Sequence, residues 1–502
     1  MTALELSSAV AVVGTGTMGQ GIAQVALVAG HPVRLYDAAP GRAKAAADAI
    51  GARLDRLVEK GRLSAGDRAA AAARLAPAES LAELAGCALV IEAVLEQLEV
   101  KQRLFQDLED VVAEDCLLAT NTSSLSVTAI AGALKKPGRF LGLHFFNPAP
   151  LLPLVEVVSG FATDEAAATR AYETARAWGK TPVRCADTPG FIVNRVARPF
   201  YAEALRLYEE RVADPATIDA VLRECGGFKM GPFELTDLIG QDVNEAVTRS
   251  VWESFFQDPK FTPSLAQRRL VESRRLGRKS GQGWYAYDDT PRAEPHTAGP
   301  ERAPESVTVH GDLFAADALP DLMREAGIRV GRGKDTPNCP GSIELPGGAR
   351  LEPADGMSPD AAAEPTIHFD LALDYRTATR IALAPSGRVD ERALKEAVGL
   401  FQALGKKVSV IGPAPGMIVA RTVWMLVDFA LDAVGREVAD AQDVDTAMRL
   451  GVNYPLGPIE WGRRLTAHRV AEALDLMNDE YPTGRYAPSQ ALRRQAVREE
   501  YS

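Results

Sequence analysis

Cysteine is scarce and poorly placed for chemistry. Cys87, Cys116, Cys185, Cys225 and Cys339 are scattered through 502 positions and never fall in C-x-x-C spacing. An odd, dispersed set excludes a disulfide framework and a zinc site, and it reads as buried thiols in a reducing compartment. The six histidines also avoid metal-ligand spacing, so no metal centre is expected. No apolar run reaches the roughly 18 residues that a membrane span requires. Basic residues are outnumbered, 56 Lys and Arg against 67 Asp and Glu, which argues against a surface built to neutralise nucleic-acid phosphates. The first residues lack the basic start of a signal peptide, and a strand begins almost at once near Val10. The expectation is a soluble, cytoplasmic chain of several domains, long enough and, at 46% hydrophobic, apolar enough for real cores.

What is present starts with AVAVVG at 9–14, an apolar run of the kind buried on both faces of a sheet. It leads into Gly14-Thr15-Gly16-Thr17-Met18-Gly19, then a helical stretch stopped by Gly30, then a second strand ending at Asp37. Strand, glycine turn, helix, strand and acid make up a dinucleotide-binding unit. Gly14 permits the tight turn, Gly16 admits the pyrophosphate to the backbone, and Gly19 lets helix and strand pack closely. The first helical N–H groups, including those of Thr17 and Met18, face the phosphates. Asp37 stands where a carboxylate binds adenosine ribose hydroxyls and repels a 2′-phosphate, favouring NAD over NADP, although Arg42 lies nearby. Taken alone, the glycine pattern is equally a turn in some other α/β protein.

Further strands are predicted at 88–94, 116–120, 139–146 and 154–158, alternating with helices, which implies a mainly parallel, doubly wound sheet. The Ala-, Arg- and Glu-rich stretch 43–76 reads as a helical hairpin inserted after the second strand. His144 closes one strand, and Glu156 lies inside the next. A carboxylate in a core strand needs a partner; a His–Glu pair satisfies it, orients the imidazole and makes it a better base. A structural histidine beside an edge-strand acid fits the same two residues.

GTGTMG, IEAVLEQLEVKQRLF (91–105), NTSSL (121–125), HFFNPAP (144–150), LVEVV (154–158) and DTPGFIVNR (187–195) resemble the short-chain L-3-hydroxyacyl-CoA dehydrogenase family in order and spacing. KMGPFELTDLIG (229–240) and GRKSGQGWYAY (277–287) are similar to its helical C-terminal domain. The resemblance implies that His144 is the general base and Glu156 its partner. By the same resemblance Ser123 and Asn194 hydrogen-bond the substrate oxygens, Glu96, Lys101 and Asn147 surround the nicotinamide ribose and ring, and Lys60 meets the CoA phosphates. Arg53 departs from the pattern where the family can carry a serine. Plain structural readings stand beside these roles. Thr122 and Ser123 suit a cap for a helix starting near Leu125, Asn147 before Pro148 suits a turn, and Asn194 and Lys60 suit an exposed surface.

The second half repeats part of the first. DTPGFIVNRV (187–196) answers to GPAPGMIVARTV (412–423), and VADPATIDAVLRECGGFKMGPFE (212–234) to VADAQDVDTAMRLGVNYPLGPIE (438–460), both 226 positions on. The helical domain is therefore expected twice. In the second copy Asp370 stands in place of His144, Ala382 in place of Glu156 and Ala420 in place of Asn194. Residues 307–330 keep a strand–helix–strand rhythm without the glycine turn.

The expected organisation is an α/β Rossmann-type NAD-binding domain at 1–187 and an all-α C-terminal domain at 188–288. After a linker at 289–305 come a degenerate nucleotide-type α/β domain at 305–410 and a second all-α copy at 411–502. The layout resembles the long bacterial form of the family, which implies NAD-dependent oxidation of 3-hydroxybutyryl-CoA or 3-hydroxyadipyl-CoA in fatty-acid or phenylacetate-type β-oxidation. Single-copy relatives commonly dimerise through the helical domain, so the second copy is expected to pack on the first within the chain, with a homodimer also open. Other readings are a reductase on acetoacetyl-CoA, a dehydrogenase of a free hydroxy acid, and a non-catalytic NAD-binding scaffold.

Overall fold

The computed structural model describes residues 2–288, 290–333 and 341–500; Cys339 lies outside them. The chain divides into two compact units, Met1–Arg195 with Arg436–Val452, and Val196–Gly435 with Asn453–Ser502. The four segments expected from the sequence are thus distributed over two bodies, and the second copy lends one piece to the first unit.

The first unit is built on eight strands: β1 (Ala9–Val13), β2 (Val33–Tyr36), β3 (Leu75–Ala78), β4 (Cys87–Glu92), β5 (Leu117–Thr120), β6 (Phe140–Phe145), β7 (Leu154–Ser159) and β8 (Thr181–Ala186). They lie in the order β3-β2-β1-β4-β5-β6-β7-β8, all neighbours parallel except the antiparallel β6–β7 pair. The order reverses between β1 and β4, and the crevice at the strand ends there is the place for a ligand in such a sheet. Val10, Val12, Leu35, Leu89 and Ile91 are fully buried, because helices cover both faces of a doubly wound sheet. The helix Arg42–Glu59 packs through the stripe Ala43, Ala46, Ile50 and Leu54, spaced to share one helical face. With the helix Ala65–Arg74 it forms the expected hairpin. From the far end of the sequence, the helix Ala441–Gly451 packs on β7 and β8. There Arg184 N donates to Asp443 Oδ2 at 2.8 Å and Ala186 N to Val438 O at 2.8 Å.

The second unit holds the helices Arg198–Glu209, Pro215–Glu224, Pro232–Ile239, Gln241–Ser254 and Leu265–Glu272. A second sheet follows, made of β9 (Ser306–His310), β10 (Arg329–Arg332), β11 (Ser342–Glu344), β12 (Arg350–Pro353), β13 (Thr366–Phe369), β14 (Arg380–Pro385) and β15 (Lys407–Val410), ordered β10-β9-β11-β12-β13-β14-β15. Its last three strands repeat the geometry of β6, β7 and β8: β13–β14 antiparallel and β14–β15 parallel. The register is also retained, since Asp370 N donates to Ala382 O at 3.1 Å where His144 pairs with Glu156 in the first sheet. The helix Pro215–Glu224 packs on β14, as its counterpart Ala441–Gly451 packs on β7 and β8. Among the described residues no helix is long and apolar enough to cross a membrane.

The two helical copies meet inside the second unit, where Arg198–Glu209 packs on Val419–Gly435. Glu203, fully buried, sits at that contact. Its Oε2 accepts from Arg421 Nε at 2.9 Å and Tyr486 Oη at 2.8 Å, and its Oε1 from Arg485 Nε at 3.0 Å. Burial alone would raise the Glu203 carboxyl, but Arg485 and Arg421 outweigh it and bring it down to about 2. A depressed carboxyl stabilises the fold above its unfolded value, here 4.5, and the gain is lost as pH falls through the folded value. Glu203→Ala leaves the buried Arg485 guanidinium without its acid and Arg421 with Glu210 alone, and is expected to cost about 3–5 kcal/mol. The stability gap between the wild type and Glu203→Gln should be widest at neutral pH and shrink below the ordinary carboxylate range. Urea unfolding of both proteins across that range checks this, and a gap that stays constant with pH contradicts it.

Candidate active site

At the β1 turn the three glycines have distinct geometry. Gly14 has φ +95°, and a Cβ there would stand 2.5 Å from Ala93 O. A Cβ on Gly19 would stand 1.8 Å from Gly14 O, whereas one on Gly16 would meet nothing within 4 Å. Gly16 opens the helix Thr17–Ala29 without a side-chain cap, so the first-turn N–H groups, those of exposed Thr17 and half-buried Met18 among them, remain available to an anion. Asp37 accepts from Thr15 N at 3.0 Å, Thr15 Oγ1 at 2.6 Å and Ala39 N at 3.0 Å, with Arg42 at 3.8 Å. Burial opposes ionisation of Asp37, but the Thr15 hydroxyl, the Ala39 and Thr15 N–H groups and Arg42 hold its carboxyl below the usual value. An open, uncapped helix start beside an ionised carboxylate fits the pyrophosphate and ribose of NAD.

The strand ends beyond β4 and β5 carry a polar lattice that the sequence only half disclosed. Lys101, 1% exposed, donates to Glu92 Oε1 at 2.5 Å and reaches Glu96 Oε2 at 3.1 Å. Glu92, fully buried, also accepts from Val94 N at 2.6 Å and Thr120 Oγ1 at 2.7 Å. Sequence reasoning missed Glu92; an acid ending an apolar strand nine positions before a lysine was the available signal. Glu96 Oε1 accepts from Thr122 Oγ1 at 2.5 Å, Ser123 N at 3.0 Å and Ser124 Oγ at 2.9 Å. Burial would raise the Glu96 carboxyl, but Lys101 and the Thr122 and Ser124 hydroxyls keep it below the usual range. Glu96 thereby fixes the loop that presents Ser123, whose hydroxyl has no partner among the described residues. The following helix starts at Val127 and is capped by Ser126, two residues later than the sequence suggested. Thr122 Oγ1 does accept from Leu125 N, at 2.9 Å.

His144 and Glu156 are cross-strand partners on β6 and β7. His144 Nδ1 lies 2.6 Å from Glu156 Oε2, and both side chains are buried, at 6% and 0% exposed. A carboxylate at Nδ1 places the ring proton there and leaves the Nε2 lone pair free. Phe146 and Phe191 flank the ring at 4.5 Å and 5.7 Å between centroids. The second carboxylate oxygen, Oε1, accepts from Ile192 N at 3.0 Å and Val193 N at 2.9 Å. The same group that orients the imidazole therefore anchors the start of the helix Val193–Val196, which carries half-buried Asn194. The turn before that helix is tight, with Gly190 at φ 78° and Phe191 at φ 51°; Gly416 (70°) and Met417 (53°) repeat it in the second copy.

The remaining candidates are less enclosed. Asn147 is exposed and precedes a cis peptide to Pro148. Asn121, another residue the sequence reading missed, accepts from Phe145 N at 2.8 Å and ties the Ser123 loop to β6. Lys60 caps the exposed end of the helix Arg42–Glu59, and its ammonium has no partner among the described residues. Arg53 is bonded to Gln20. In the second copy Asp370 accepts from Ile418 N at 3.1 Å, Val419 N at 2.9 Å and Ala420 N at 3.0 Å. The anchor survives there while the imidazole is lost.

A dinucleotide cradle sharing one sheet with a buried His–Glu pair defines an NAD-dependent alcohol dehydrogenase domain. Three family models match the chain: the 3-hydroxyacyl-CoA dehydrogenase NAD-binding domain at 9–188, the C-terminal domain of that family at 190–287 and 416–501, and the 3-hydroxybutyryl-CoA dehydrogenase reduced Rossmann-fold domain at 352–415. The 3-hydroxyadipyl-CoA dehydrogenase of Escherichia coli strain K12 is 44% identical over 490 residues, 98% of each chain. A crystal structure of a 3-hydroxybutyryl-CoA dehydrogenase from Escherichia coli K12 superposes with a TM-score of 0.90 at 42% identity, covering 99% of this chain and 100% of that one. The (S)-3-hydroxybutyryl-CoA dehydrogenase of Ralstonia eutropha is 35% identical, with a TM-score of 0.55, covering 56% of this chain and all of its own. The chain belongs to the 3-hydroxyacyl-CoA dehydrogenase family and is an NAD-dependent oxidoreductase of that activity.

Glu156→Gln keeps an acceptor for the Ile192 and Val193 N–H groups but turns an amide N–H toward Nδ1, reversing the imidazole tautomer. The expected outcome is a fall in kcat of about 10²–10⁴-fold with folding and NAD affinity retained. Steady-state kinetics beside a thermal melt and NAD titration check it; a variant with near-wild-type kcat contradicts the orienting role.

Proposed function

We propose that the enzyme oxidises short (S)-3-hydroxyacyl-CoA thioesters, 3-hydroxybutyryl-CoA or 3-hydroxyadipyl-CoA, to the 3-oxo products in a β-oxidation-type sequence such as phenylacetate breakdown. The buried His144–Glu156 pair, with Nδ1 committed and Nε2 free, is the observation that carries this reading. His144 Nε2 takes the proton of the 3-hydroxyl, and Glu156 stabilises the imidazolium that results. Ser123 Oγ, free of internal partners on a loop fixed by Glu96, and the Asn194 amide, on a helix anchored by Glu156, align the substrate oxygens. NAD, when bound, supplies the hydride acceptor. Asp37 and the Gly16–Gly19 turn hold its adenosine and pyrophosphate, while Glu96, Lys101 and Asn147 shape the nicotinamide end. Lys60 offers its ammonium to the phosphates of CoA.

The relatives' names divide over the acyl group, one naming 3-hydroxyadipyl-CoA and another 3-hydroxybutyryl-CoA. Packing of the second helical copy on the first supports a pseudo-dimer within one chain, in place of the dimer that single-copy relatives commonly form. A homodimer of whole chains and a cytoplasmic location belong to the same proposal.

His144→Gln tests the reaction. NADH formation from either thioester is expected to fall about 10²–10⁴-fold with NAD affinity retained. A variant that turns over at the wild-type rate would sink the assignment of the base.

A further inference from the structure

Asp187 follows β8 and opens the DTPGFIVNR motif that carries Asn194. Its backbone N–H donates to Ser159 O at 2.9 Å, extending the β7–β8 ladder by one residue. Its side chain reaches a different segment of the first unit. Oδ2 accepts from Ser126 Oγ at 2.7 Å and Thr128 N at 2.7 Å, and Oδ1 from Val127 N at 3.1 Å. The helix Val127–Ala131 already has a cap of its own, because Ser126 Oγ accepts from Ala129 N at 3.1 Å. Asp187 takes the two N–H groups that this cap leaves open. It thereby joins the segment after Ser123 to the segment before Asn194.

The loop 121–128 is then held at three points. Asn121 Oδ1 accepts from Phe145 N on β6, Glu96 holds residues 122–124, and Asp187 holds residues 126–128. Ser123 lies between the first and last of these holds. At the other end of the Asp187 segment, Glu156 fixes the turn through Ile192 N and Val193 N. All of these residues belong to the first unit. An ionised acceptor makes shorter and stronger bonds to N–H groups than a neutral one, so a carboxylate gives the tie more rigidity than a second hydroxyl would.

The internal repeat distinguishes architecture from chemistry here. Lys180 Nζ donates to Ala149 O at 2.6 Å and Leu152 O at 2.9 Å. In the second copy, 226 positions on, Lys406 Nζ donates to Tyr375 O at 2.5 Å and Ala378 O at 2.8 Å. That tie persists where the imidazole has been lost, which marks it as architectural. The Asp187 tie does not persist: Pro413 stands at its position and has no acceptor side chain. We propose that Asp187 is a positioning residue for the reaction, holding Ser123 in register with the turn that leads to Asn194. The inference rests on the substrate roles given above to Ser123 and Asn194.

The test is a double-mutant cycle on the NAD-loaded full-length enzyme, crossing Asp187→Ala with Ser123→Ala. The substrate is (S)-3-hydroxybutyryl-CoA or (S)-3-hydroxyadipyl-CoA, whichever is turned over faster. Asp187→Ala is expected to lower kcat/KM by about 10- to 100-fold, with NAD affinity retained. In the Ser123→Ala background the same change should lower it by no more than about 2-fold, because the group it positions is gone. Thr128 Oγ1 also accepts from Phe161 N at 3.0 Å, so the helix keeps another hold and the variant is expected to fold. Should it not, Asp187→Asn, which retains one acceptor oxygen, replaces it in the cycle with a smaller loss of the same kind. Equal losses in both backgrounds, or an unchanged kcat/KM whatever the Tm, overturn the inference while Ser123 keeps its role. A Ser123→Ala enzyme as fast as the wild type overturns the substrate role of Ser123 instead, and this inference falls with it.

Discussion

One buried carboxylate organises the catalytic half of this molecule. Glu156 sits in the middle of a core strand, where an ionised group survives only if its oxygens are fully engaged. One oxygen accepts the His144 Nδ1 proton, and the other accepts two backbone N–H groups at the start of the Asn194 helix. The proposed base and the proposed substrate-aligning amide are therefore tied to a single rigid acceptor rather than to separate loops. Burial strengthens both attachments, because no water competes for the oxygens. The neighbouring lattice works similarly: Glu92 holds Lys101, and Glu96 holds the loop that presents Ser123.

The second copy separates two duties that Glu156 combines. At the His144 position Asp370 now supplies the acceptor for the Ile418, Val419 and Ala420 N–H groups, while Ala382 occupies the Glu156 position. The carboxylate has changed strands but still anchors the helix that follows the glycine turn. Burial drives the Asp370 carboxyl up to about 6 even with those N–H groups opposing it. A fold that keeps this costly anchor after losing the histidine needs it for architecture. The catalytic use proposed for the first copy is an addition to that structural need.

Much of this was legible in the residues themselves. The apolar run, the glycine spacing and Asp37 specify a dinucleotide turn because each has a separate steric or electrostatic job, and the structure places them accordingly. The 226-residue repeat exposed both helical copies and the substitutions at Asp370, Ala382 and Ala420, since register survives even where chemistry does not. Glu92 and Asn121 escaped because a single acid or amide at a strand end has many uses, and only the folded chain shows what it accepts. The backbone duty of Glu156 was hidden for a related reason: N–H acceptors leave no trace in side-chain spacing. Nor could the sequence foresee that the helix Ala441–Gly451 joins the first unit while its counterpart joins β14, because exchange of equivalent elements depends on tertiary packing.

The central claim is that Glu156 holds His144 in the tautomer with the proton on Nδ1 and a free lone pair on Nε2. Nitrogen-15 NMR of the histidine rings, assigned with His144→Gln, tests it most directly. The account predicts that the neutral form of His144 carries its proton on a hydrogen-bonded Nδ1 and none on Nε2, and that the pattern inverts in Glu156→Gln. A wild-type His144 carrying its proton on Nε2, or a pattern indifferent to Glu156, would contradict the account.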